Sequence, residues 1–144
     1  MKTLLTLLTI PALAFAALPA KKVSTRLFPD GTGSTKEIDP EKHQSTESFV
    51  DASGKMTYKI IYQLDDRMQP ISGVYYNAQG KVFQKSAYKV DGADRIIQEV
   101  VYDAKDRLAC TKNFIYGTRS NKSALIGVDI YDANGVLKQT QKKK

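Results

Sequence analysis

The sequence predicts an all-β protein: an antiparallel meander of hairpin repeats about 26 residues long, shaped as a curled sheet or an up-and-down barrel. Three observations carry this. A turn motif recurs at near-constant spacing, apolar and polar residues alternate between the turns, and the mature part of the chain shows no helical period with which to cover a sheet.

The turn motif comes first because it sets the period. Asp51-Ala52-Ser53-Gly54-Lys55-Met56 recurs as Asn77-Ala78-Gln79-Gly80-Lys81-Val82, as Asp103-Ala104-Lys105-Asp106-Arg107-Leu108, and as Asp132-Ala133-Asn134-Gly135-Val136-Leu137. An opening Asp or Asn caps its own turn through the side-chain oxygen, and the fourth position calls for positive φ, as in a type I turn followed by a bulge. Gly supplies that conformation at Gly54, Gly80 and Gly135, and Asp106, one of the few residue types that tolerate it, stands in the third copy. A second turn signal falls midway in two units, at Leu64-Asp65-Asp66-Arg67 and Val90-Asp91-Gly92-Ala93-Asp94. Each unit reads as one hairpin.

Alternation then assigns faces. The even-numbered column holds Tyr58, Ile60, Tyr62, Leu64, Val74, Tyr76, Tyr88, Val100, Tyr102, Cys110 and Phe114, and the odd column holds mainly Thr57, Lys59, Gln63, Lys85, Lys89, Glu99 and Thr111. Because the period is even, the even column is expected to line the core and the odd column to be wet, with Ile61, Tyr75, Val101 and Ile115 as interruptions. Seven or eight strands are expected from about Thr46 to Gln141. Val23–Pro29 adds a candidate edge strand, and Asp30–Gln44, rich in Gly, Thr, Ser, Asp and Lys, reads as a mobile loop.

The organisation that follows is a leader over 1–20, an N-terminal polar segment with a candidate edge strand over 21–48, the repeat domain over 49–141 and a basic tail over 142–144. In the leader, Lys2 is followed by the apolar run Leu4–Ile10 and by small residues ending at Ala14-Phe15-Ala16, the three parts of a secretory signal peptide. Pro11 and Pro19 interrupt the run, which is too short for a membrane anchor, and the mature protein is expected to carry no transmembrane segment. The expected location is secreted or periplasmic. The lone Cys110 offers no intrachain disulfide, so the fold must rest on packing and strand pairing. The formal charge is +7, and removing Lys2 with the leader leaves +6. Scattered lysines of this kind keep sheet edges solvated, and they also suit weak attraction to polyanionic surfaces. No nucleic-acid motif accompanies them.

Tyr102-Asp103-Ala104-Lys105-Asp106-Arg107-Leu108 and Tyr131-Asp132-Ala133-Asn134-Gly135-Val136-Leu137 resemble the YD-repeat of bacterial RHS-type proteins. Tyr75-Tyr76-Asn77-Ala78-Gln79-Gly80-Lys81-Val82 is similar to the MORN-like repeats of bacterial surface proteins. The resemblance spans about Val50 to Leu137. It implies an extracellular scaffold or binding surface and transfers no catalytic residue.

Catalytic material is sparse. His43 and Cys110 are the only residues of their kinds and lie far apart in sequence, and the carboxylate pairs Asp65-Asp66, Asp91 with Asp94, and Asp103 with Asp106 all sit at turns, where capping accounts for them. None has the spacing of a calcium loop, and neither a metal nor another cofactor is expected. The tyrosines are more informative. Tyr58, Tyr62, Tyr76, Tyr88 and Tyr102 are the candidate ligand-binding residues, expected to line the mouth of an incompletely filled barrel and to orient an apolar or aromatic ligand through their hydroxyls. The expected function is that of an exported non-enzymatic binding or structural module of the bacterial cell envelope, its partner a small apolar ligand or an envelope component. A cationic binder of polyanions, or a hydrolase using turn carboxylates, is the alternative.

The leader makes a direct prediction. Intact mass of exported protein should place the first residue at Ala17 or Lys21, the two cuts that leave a small residue before them. Exported protein that retains Met1 would contradict it.

Overall fold

The structure, a computed structural model, describes residues 20–119 and 122–142. The leader cleavage sites before Ala17 and the end of the basic tail, Lys143-Lys144, lie outside the described residues. Ten strands follow one another: β1 (Lys22–Leu27), β2 (Gly33–Asp39), β3 (Gln44–Val50), β4 (Met56–Leu64), β5 (Pro70–Asn77), β6 (Val82–Val90), β7 (Ile96–Asp103), β8 (Leu108–Arg119), β9 (Lys122–Asp132) and β10 (Leu137–Lys142). They form one antiparallel sheet in sequence order, the backbone of each strand pairing only with its neighbours in the chain.

The turns show why the chain folds this way. In six of them the opening Asx Oδ1 accepts the backbone N–H groups of the third and fifth residues. At Asn77 these are Gln79 and Lys81 at 3.0 and 2.9 Å, and at Asp103 they are Lys105 and Arg107 at 2.8 and 3.0 Å. Asp51, Asp65, Asp91 and Asp132 do the same. The fourth residue has positive φ in every case, with Gly80 at 76° and Asp106 at 61° as the motif requires. The midway turns are copies of the main one, running Asp65–Gln69 with Met68 at φ 62° and Asp91–Arg95 with Asp94 at φ 60°. Each 26-residue unit therefore carries two strands and two equivalent turns.

A register shift stands beside each of these turns, for example between Phe49 and Val50 and between Val101 and Tyr102. That bulge adds one residue to one strand, so beyond it an even-numbered residue pairs with an odd-numbered one: Phe49 with Tyr58, Tyr62 with Gly73, Ser86 with Val101. The expectation of one continuous even-numbered column is corrected accordingly. The even column is kept on β4, β6 and β8, but on β3, β5 and β7 the same face carries odd numbers. One face, here called inner, displays Phe49, Tyr58, Ile60, Tyr62, Tyr75, Tyr88, Glu99, Val101 and Cys110; the opposite face displays Val74, Tyr76, Val100 and Tyr102.

One further expectation is revised, and one choice left open is decided. Asp30–Gln44 is not a loop, because Gly33–Asp39 forms β2, paired on both sides, and the ladder runs unbroken from β1 into the repeat region. Of the two forms left open, curled sheet and barrel, the sheet does not close: β1 and β10 end it, and both are exposed throughout. The edges read KVSTRL and LKQTQK, so closing the barrel would bring Lys22 and Arg26 toward Lys138 and Lys142, cation toward cation. The buried aliphatic side chains among the described residues are Ile60, Leu64 and Val101, all on the inner face.

The turn geometry is testable at Gly80, where a Cβ would meet no atom within 4 Å, so any penalty is conformational. Gly80→Val should lose more than about 1 kcal/mol in urea titration. Gly80→Asp, matching the natural state of Asp94 and Asp106, should lose less than half as much. Equal, small losses would show that positive φ is not what this position demands.

Candidate functional site

A sheet that no second layer covers must protect its apolar face by its own curvature. Adjacent strands lie about 4.8 Å apart, so Tyr62 on β4 and Tyr88 on β6 leave the backbone roughly 10 Å from each other. Their ring centroids are nonetheless 6.0 Å apart. Gly73 on β5, which pairs with Tyr62 on one side and with Ser86, two residues before Tyr88, on the other, makes this approach possible, since a Cβ there would lie 3.2 Å from Tyr88 Oη and 3.3 Å from Tyr62 Cδ1. Phe49 and Tyr58 stack at 4.2 Å in the adjoining part of the face. A concavity of about 390 Å³ lies beside the leaning rings, bordered by residues from β2 through β7. Six strands laid flat would extend over about 24 Å, so the face is curled around this space.

A polar network lies under the rings. Tyr75 and Tyr88 share a hydrogen bond between their hydroxyls at 2.7 Å, and Tyr75 Oη donates to Glu99 Oε1 at 3.5 Å. Ser86 Oγ donates to the same oxygen at 2.7 Å, while Lys112 Nζ donates to Glu99 Oε2 at 2.9 Å. The Glu99 side chain is only 9% exposed, so these donors replace the water it gives up. Burial raises the phenol pKa of Tyr62, Tyr75 and Tyr88, so all three hydroxyls keep their protons.

Of the five candidate tyrosines, Tyr58, Tyr62 and Tyr88 come to the inner face, and Tyr62 and Tyr88 border the concavity. Tyr76 and Tyr102 fall on the opposite face, where Lys59 Nζ lies 5.2 Å from the Tyr76 ring centre. Tyr75, Glu99 and Ser86 belong to the site without having been singled out from sequence. Their signal was available in the bulge, which puts odd numbers of β5 and β7 beside even numbers of β4 and β6.

The turn carboxylates are committed elsewhere. Arg95 holds Asp91, and the backbone N–H and side chain of Arg107 hold Asp103, so both carboxyls lie below the usual range. His43 sits in the β2–β3 turn, 3.7 Å from Asp66, and Cys110 is a half-buried free thiol on β8. No family model matches this chain, and no curated protein matches it either.

The network predicts unequal losses. Glu99→Ala, which strands Ser86 and Lys112, should cost about 2 kcal/mol, and Lys89→Ala should stay within about 0.5 kcal/mol. A Tyr75→Phe, Tyr88→Phe double-mutant cycle should give a coupling of about 1 kcal/mol. A coupling near zero in denaturant titrations would mean that the two hydroxyls do not act together.

Proposed function

We propose that this protein is an exported, non-enzymatic binding module of the bacterial cell envelope, whose curled inner face receives an apolar or aromatic ligand. One observation carries the reading: among the described residues no second layer covers the aromatic face built from Phe49, Tyr58, Tyr62, Tyr75 and Tyr88, and that face curves around a concavity of about 390 Å³. Apolar concavities with a few convergent polar groups are the usual form of small-molecule sites. The likeness of the turns to YD and MORN-like repeats supports the same role, in which the repeat is a platform.

The competing readings have less to draw on. A hydrolase would need a pair of carboxylates free to work, whereas Asp65, Asp91 and Asp103 cap their own turns and Asp94 and Asp106 pair with Arg67 and Lys85. A polyanion binder would need its cations gathered in one patch, and here they are spread along the chain from Lys21 to Lys142, with Lys21, Lys85 and Lys112 each paired to an acid.

The test is uptake of the neutral dye N-phenyl-1-naphthylamine, with native mass spectrometry of protein taken from its own compartment. Tyr88→Ala should weaken dye binding about tenfold or more, whereas Tyr76→Ala, on the opposite face, should leave it unchanged. No dye uptake and no co-purifying molecule would leave the aromatic face as packing alone.

A further inference from the structure

Ser45 stands in the inner-face row between Ile38 of β2 and Tyr62 of β4. It is 2% exposed, and its Oγ has no hydrogen-bond partner, alone among the buried side-chain polar atoms of the described residues. Buried polar groups are nearly always paired, so an orphan hydroxyl calls for a cause. Ser86 provides the contrast. It lies three strands further along the same row, is nearly as buried, and closes its bond on Glu99. Alanine at position 45 would have satisfied packing without leaving a polar atom unpaired.

The surroundings of Ser45 indicate what would pair with it. Ser45 borders the concavity of about 390 Å³, and a second of about 500 Å³ adjoins it, with Ile38 and Met68 as shared walls. Ala20 and Pro40 continue the apolar lining of the second, and Lys22 stands at its edge. Sharing these two walls, the hollows together offer an apolar trough larger than either alone. Lys36 and Glu47, cross-strand partners of opposite charge, flank the first hollow. A carboxylate entering there would face Glu47 and an ammonium would face Lys36, so an uncharged head is the one that neither repels.

Resting on the binding role proposed above, we infer that the trough takes a single-chain amphipath, an acyl or isoprenoid chain ending in an uncharged hydroxyl or carbonyl oxygen, and that this oxygen pairs with Ser45 Oγ. Neighbouring side chains close the hydroxyl off from bulk water, so only a group inserted between Ile38 and Tyr62 reaches it. Apolar contact supplies affinity and Ser45 supplies selection for the oxygenated end.

The experiment uses the mature protein loaded with N-phenyl-1-naphthylamine and displaced by 1-decanol, decanoate or decyltrimethylammonium. Decanol should displace the dye best, and Ser45→Ala should weaken decanol about fivefold while leaving the dye's own affinity and the melting temperature unchanged. Dye uptake with equal decanol affinity in Ser45→Ala would overturn the assignment to Ser45 and leave the binding role standing. Preference for decanoate, lost in Lys22→Ala, would place a charged head at the far end of the trough and overturn it as well. A lower melting temperature for Ser45→Ala would mean that the hydroxyl already has a partner within the protein. Absence of dye uptake would overturn both readings.

Discussion

An Asx side chain that accepts two backbone N–H groups of its own turn is the interaction on which this fold depends. It fixes a five-residue reversal in which the fourth residue has positive φ, and a bulge follows on the flanking strands. Repeating that reversal sets both the spacing and the direction of every strand from β3 to β8. The bulge sets the faces, because each one shifts the register by a residue and so decides which side chains meet across the ladder. Had the turns been two-residue hairpins without a bulge, Tyr76 would have stood where Tyr75 does, and Glu99 would have faced solvent.

Curvature takes the place of a second layer. Three buried aliphatic side chains are few for a sheet of ten strands, and a flat sheet with that core would leave its aromatic residues in water. Here the rings of Tyr62 and Tyr88 lean across Gly73, and Tyr75 reaches over to join them through hydroxyls and Glu99. Side chains from neighbouring strands thus cover one another. Backbone pairing remains local, each strand bonded only to the next, and this lets the sheet end wherever an edge is charged enough to refuse a partner.

Much of this is written plainly in the sequence. The all-β class, the period, the turn chemistry and the positive φ at Gly80 and Asp106 are legible because they are local: each follows from a few adjacent residues and the conformations they allow. The face assignment on β5 and β7 is not legible from alternation alone. Evenness of the period holds only between strands a full unit apart, where two bulges restore what one has shifted, and within a unit a single bulge exchanges Tyr76 for Tyr75. The identity of β2 was hidden for a different reason. GSTKEID has the polar composition of a loop and becomes a strand because β1 and β3 pair with it on both sides. Ser45 was invisible in the sequence because an unpaired hydroxyl is a property of its surroundings.

The polar midline of the inner face is unlike the interior of a sheet selected for packing alone, and it suits the binding role proposed above. A face selected for stability alone would fill the row through Ser45, Gly73, Ser86 and Val101 with branched aliphatic residues, which pack well on a pleated surface. Instead the row carries two serines and a glycine, and Glu99 lies buried in the next row, held by donors from β5, β6 and β8. Three of these donors are satisfied within the protein and hold the tyrosine rings at fixed angles. Ser45 is the member left unsatisfied, and it lies where the rings stop and the trough begins. A rigid aromatic wall beside one unspent hydrogen bond is the arrangement expected of a preorganised site, since the ordering of its walls is complete before a ligand arrives.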